Sequence, residues 1–137
     1  MIRSTAIMAL FVSTAVFAEP KQSQTFANAW PSFRGNPQLT GVAASKLDPE
    51  LKVRWKVDVK EPVTSTAAIV DGVVYIGADD FNLYAINLAD GSVRWKYAAK
   101  EAIRSSPMVA GGIVYFGDQE GTFHAVHTVS GSACCAR

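Results

Sequence analysis

Four carboxylates fall in two close groups: Asp79 and Asp80, then Asp118 and Glu120. Clustered carboxylate oxygens in turns are hard ligands suited to Ca²⁺. The plainer reading, which we favour, is that they are solvated turn residues. Arg104, beside Ser105, could meet an anionic ligand; a surface or channel-lining role is the simpler alternative. His124 and His127 lie three apart on a strand-like run, so they point to opposite faces and do not share a metal. Cys134 and Cys135 form an adjacent pair, too few for a multiply bridged scaffold or a four-Cys zinc site. None of these side chains is assigned a catalytic role.

Composition narrows the function classes. Thirteen basic and twelve acidic residues give a net charge of +1, without the concentrated basic excess of a nucleic-acid binder. A hydrophobic fraction of 49% with 18% charged residues excludes a disordered tail. Residues 1–18 read as a signal peptide: a basic start at Arg3, an uncharged apolar run at 6–16, and small residues before a cleavage point at Ala18. That run is too short to span a bilayer, and no second stretch approaches spanning length. A soluble periplasmic or extracellular product is expected.

The elements that must position the candidate residues come from a repeat. Residues 53–92 align on 93–132 without a gap, at a period of 40, with fourteen of forty positions identical. The matches include Trp55/Trp95, Gly72/Gly112, Tyr75/Tyr115, Gly77/Gly117 and Gly91/Gly131. Each copy holds four strand-like runs. In the first they are 64–70, 73–77, 83–86 and 93–97, with turn signals at Asp71-Gly72 and Asp90-Gly91. Runs 73–77 and 113–117 lack polar alternation and are expected to be buried on both faces. A 40-residue period with four strands per copy predicts an all-β chain: a partial β-propeller of antiparallel four-stranded blades, about two of a ring of about six to eight.

The copies resemble the PQQ-like propeller repeat of quinoprotein dehydrogenases and BamB-like outer-membrane assembly propellers. Ser105-Ser106-Pro107, Gly112-Ile113-Val114-Tyr115-Phe116-Gly117 and Asp90-Gly91-Ser92-Val93-Arg94-Trp95 carry the resemblance. Trp30-Pro31-Ser32-Phe33-Arg34-Gly35 is similar to the lead-in of secreted members. The division expected is a signal peptide at 1–18, an extended leader at 19–50 and propeller repeats at 51–137. Blade one lies at about 64–97, blade two at about 104–132, and a degraded end at 133–137. Segment 51–57 is a stray strand that would complete the last blade of a full ring. The Trp residues are expected to lie flat between adjacent blades.

Departures from the repeat are informative. Phe81 stands where the family turn has Gly, so Asn82 is expected to supply the left-handed conformation there. Cys135 falls at the Trp position, and an adjacent-Cys disulfide near the quinone is known in some of the dehydrogenases; here an accident of truncation is the preferred reading. The resemblance implies a non-catalytic protein-interaction scaffold, expected to be a fragment of a longer chain that needs no cofactor. The alternative is the N-terminal piece of a PQQ-dependent alcohol or sugar dehydrogenase, which alone would call for PQQ and Ca²⁺. A further alternative is a remnant without independent function. Protein partners are expected, either missing blades or assembly partners, along with self-association and a marginal stability. Nucleic acid and a membrane span are not expected.

Overall fold

The computed structural model describes residues 29–43, 45–46 and 48–134; the signal-peptide reading and Cys135 lie outside them. Seven strands follow one another with no helix among the described residues: β1 (Ala68–Val70), β2 (Val73–Gly77), β3 (Asn82–Asn87), β4 (Val93–Ala98), β5 (Met108–Ala110), β6 (Ile113–Gly117) and β7 (Phe123–His127). They form two antiparallel meanders, β1-β2-β3-β4 and β5-β6-β7. The β-branched and aromatic runs of β2 and β6 make the central strands, as their composition favours. Asp71 and Gly72 both take positive φ, 50° and 71°, which is the two-residue hairpin whose twist matches its strands.

The two sheets stack face to face. Ala68, Val70, Val73, Tyr75, Leu83 and Ala85 on one side meet Ile103, Val109, Val114, Phe116 and Val126 on the other in one apolar core. Leader residue Trp30 bridges Ile69 through both backbone bonds, and the Val109 amide donates to the Pro31 carbonyl at 2.7 Å. The leader thus ties the innermost strands of both sheets.

Three expectations need correction. The second sheet has three strands, not four, among the described residues; in place of the fourth is one bridge, Val126 to Ala133. Ala133 and Cys134 stand where Val93 and Arg94 lead into Trp95 in the first copy, so no large side chain pulls the segment onto the sheet. Segment 51–57 is not a hydrogen-bonded strand; it runs alone across the far face of the first sheet. Finally, β6 alternates between buried and half-buried residues, whereas β2 is almost continuously buried. One face of the second sheet has no neighbour among the described residues.

Candidate functional site

The seam between the sheets gathers most of the candidate side chains. Trp95 on β4 donates its indole N–H to the Thr128 carbonyl at 3.0 Å, 33 residues on. Its ring lies against Gly131, where a Cβ would come within 2.7 Å of Trp95 Cδ2. Trp55 repeats the contact one copy earlier, donating to the Leu88 carbonyl at 2.9 Å over the same separation, with Gly91 beneath its ring. Trp95 therefore locks the outer strand of the first blade onto the last turn of the second, and Trp55 fastens segment 51–57 onto the last turn of the first. Gly77 makes room for Ile103: a methyl there would overlap Ile103 Cγ2. Ser65 and Ser105 close their own blades, each accepting from and donating to Gly77 or Gly117 respectively, at 2.7–3.1 Å.

Arg104 and Asp79 meet across the seam. The guanidinium donates Nε to Oδ1 at 3.2 Å and Nη2 to Oδ2 at 3.0 Å, and this fork holds the Arg104 pKa up through the hydrogen bonds and the charge. Asp80 accepts from the Tyr84 hydroxyl and from the Asn82 amide. Burial, reinforced by Asp80, pushes Tyr84 up to about 12. Glu120 pairs with Lys100 at 3.7 Å on the surface.

Asp118 behaves differently from a solvated turn residue. It is buried and accepts from His124 Nε2 at 2.9 Å and from the Thr122 amide at 2.9 Å. A carboxylate only accepts, so Nε2 carries the proton and Nδ1 is left to accept from the Tyr97 hydroxyl at 3.1 Å. Tyr97 belongs to β4 of the first sheet, so Tyr97–His124–Asp118 is a polar relay across the seam. Phe116 stacks on the imidazole at 4.8 Å. The positions forty residues earlier are Val57, Tyr84 and Ala78, so the repeat alignment carries no sign of it. His127 points away and is exposed, as the strand periodicity requires.

The candidate carboxylates are not gathered into one Ca²⁺ donor set among the described residues. Each carboxylate is engaged at a different place: Asp79 by Arg104, Asp80 by Tyr84, Asp118 by His124 and Glu120 by Lys100. Among the described residues no group of three His, Cys, Asp or Glu is placed to hold a metal. No helix among them is long and apolar enough to cross a membrane.

Two stacked antiparallel blades in a 40-residue register define a partial β-propeller. Residues 41–133 match the family model described as outer membrane protein assembly factor BamB, and the chain belongs to that family, whose repeat is PQQ-like. It resembles BamB from Moraxella catarrhalis with a TM-score of 0.58 at 20% identity, over 63% of this chain and 27% of that one. It resembles quinohemoprotein alcohol dehydrogenase from Comamonas testosteroni with a TM-score of 0.68 at 20% identity, over 80% of this chain and 19% of that one. The enzyme ADHIIG from Pseudomonas putida HK5 gives 0.65 at 21% identity, with 81% and 19% covered. The chain thus spans about a quarter or less of these structures, and at such identities they share the fold. No curated protein matches it.

Proposed function

We propose that this chain is a non-catalytic propeller element of an exported protein that offers an open blade face to protein partners. The observation that supports this is the contrast between equivalent faces. Leu83 of the first blade is fully buried by the second blade, while its counterpart Phe123 is 64% exposed. Met108, Tyr115, Gly117 and Phe123 line an apolar groove of about 460 Å³ there. Exposed contiguous apolar surface of this kind marks interaction sites. The division we propose is a signal peptide at 1–18, a leader at 19–50 and propeller repeats at 51–137, in the periplasm or outside the cell. The carboxylates and Arg104 then serve to fasten turns and seams.

A photo-crosslinking side chain placed at Met108 should yield protein adducts in exporting cells, and one at the exposed Val129 should not. Equal labelling at both positions would remove the support for a specific face. Titration with PQQ and Ca²⁺ should give no saturable binding and no dye-linked alcohol oxidation. Micromolar binding lost in Arg104→Ala would instead favour the dehydrogenase reading.

A further inference from the structure

A second cleft opens on the seam, at the end where the β1–β2 and β5–β6 hairpins turn. It has a volume of about 150 Å³ and both blades line it. The first blade supplies Asp71, Tyr75 and Arg94, and the second supplies Val109, Gly112 and Thr128. Asp71 precedes β2 and Asp79 follows it. The cleft and the Arg104–Asp79 fork therefore lie at opposite ends of that strand.

Arg94 reaches the cleft through an irregularity of β4. Trp95 pairs with Ala85 but Val93 pairs with Ile86, which leaves Arg94 as one extra residue. Strict alternation would send Arg94 to the face opposite Trp95. A bulge re-aims the extra side chain, and this one lines the seam beside Tyr75. Its Nε donates to Asn87 Oδ1, and Asn87 is itself held by donating Nδ2 to Ser92 Oγ at 2.6 Å. Neither Arg94 Nη group nor the Asp71 carboxylate makes a side-chain hydrogen bond or ion pair among the described residues. Both residues are exposed and stand at the mouth.

Tyr75 forms the floor. It is 2% exposed, yet its hydroxyl has no hydrogen-bond partner among the described residues. No side-chain polar atom among them is sealed from solvent without a partner, so this hydroxyl opens onto the cleft. Both mouth charges act on it: burial pushes its pKa up, Arg94 draws it down and Asp71 adds to the rise. Buried hydroxyls are as a rule hydrogen-bonded, and this one faces space instead. Forty residues on, Tyr75 recurs as Tyr115, but Asp71 and Arg94 give way to Gly111 and Cys134. The two charges are additions to the blade pattern and serve none of its contacts.

We propose that this cleft binds a small zwitterion of the amino-acid class. The ligand carboxylate accepts from the Arg94 Nη groups and from the Tyr75 hydroxyl, and the ligand ammonium donates to Asp71. A guanidinium fixed at Nε presents its remaining N–H groups in the geometry a carboxylate matches. An ionised carboxylate only accepts, so Asp71 selects a ligand that also carries a donor. The volume falls below the roughly 300–1,000 Å³ of sites for larger ligands, which restricts the side chain to a few atoms. Because both blades line the cleft, an occupied site braces the seam. The site is separate from the open blade face, and neither reading requires the other.

The test titrates the full chain with glycine and with L-serine, following the amide signals of Gly72, Gly112 and Thr128 by nuclear magnetic resonance. Saturable shifts confined to the cleft are expected at millimolar concentration or below. Acetate and methylammonium, which carry one charge each, should bind at least about tenfold more weakly, as should either amino acid to Arg94→Gln or Asp71→Asn. Asparagine tolerates the left-handed backbone at position 71, so that variant keeps the turn. Tyr75→Phe removes one oxygen and should weaken binding about fivefold to tenfold. Circular dichroism of each variant should match the parent. Absence of saturable shifts with both amino acids would overturn the proposal and leave a cleft that holds water only. Equal affinity for acetate would replace it with a plain anion site. Parent-like affinity in Arg94→Gln and Tyr75→Phe would refute the assigned contacts.

Discussion

Phe81 carries a φ of 70° at the turn where its counterpart Gly121 carries 89°. The strain therefore falls on Phe81 itself and not on Asn82, whose amide and side chain instead fold back onto Asp80. A left-handed residue with a Cβ costs about 1–2 kcal/mol, and glycine's greater chain entropy returns part of that. Phe81→Gly should therefore stabilise the chain by about 0.5–1 kcal/mol, seen as a higher urea midpoint at unchanged slope. Asp118 offers a pH test. Burial pushes its carboxyl up, but hydrogen bonds from His124 and the Thr122 amide outweigh this and hold it below its ordinary 3.8. A group depressed in the folded state adds stability above its unfolded pKa and loses it as pH falls through the folded value. Unfolding by urea at pH 7 and pH 3 should show that loss in the parent and a smaller one in Asp118→Asn. At pH 7 the variant should be weaker by about 1–2 kcal/mol, as expected for a lost charge-assisted bond.

At the scale of elements, the Trp latches decide what moves together. Removing Trp95 empties a half-buried site and strands the Thr128 carbonyl, so Trp95→Ala should cost about 3 kcal/mol, seen as a lower midpoint of a single thermal transition. Segment 51–60 is fastened to the first blade chiefly through Trp55 and its neighbours. Trp55→Ala should free it, and trypsin should then cut after Lys56 and Lys60 much faster while the blades stay folded. The strands were legible in the sequence because β2 and β6 are short β-branched runs closed by Gly turns, and because the 40-residue period fixes the Trp partners. The Tyr97–His124–Asp118 relay was not legible, since it joins two copies through residues the period does not match. Nor was the Arg104–Asp79 fork: a strand reading gives a residue's face, not which loop of the next blade comes to meet it.

For the whole molecule, the main apolar core lies between the blades and not within either, so neither sheet has an interior of its own. Its open end exposes Met108 and Phe123. If association covers them, the melting temperature depends on protein concentration. A tenfold dilution shifts the balance by about 1.4 kcal/mol, which should lower the melting point of the parent by roughly 5 °C and leave Phe123→Asp unmoved. Equal shifts in both would exclude that coupling. The paired indole bonds, Trp55 to Leu88 and Trp95 to Thr128, also bear on how such chains change over generations. Each latch reaches 33 residues forward, within the span of one repeat. An in-phase duplication or deletion of 40 codons therefore preserves every donor and its acceptor. Unequal recombination can therefore alter the copy number while leaving every indole latch in place.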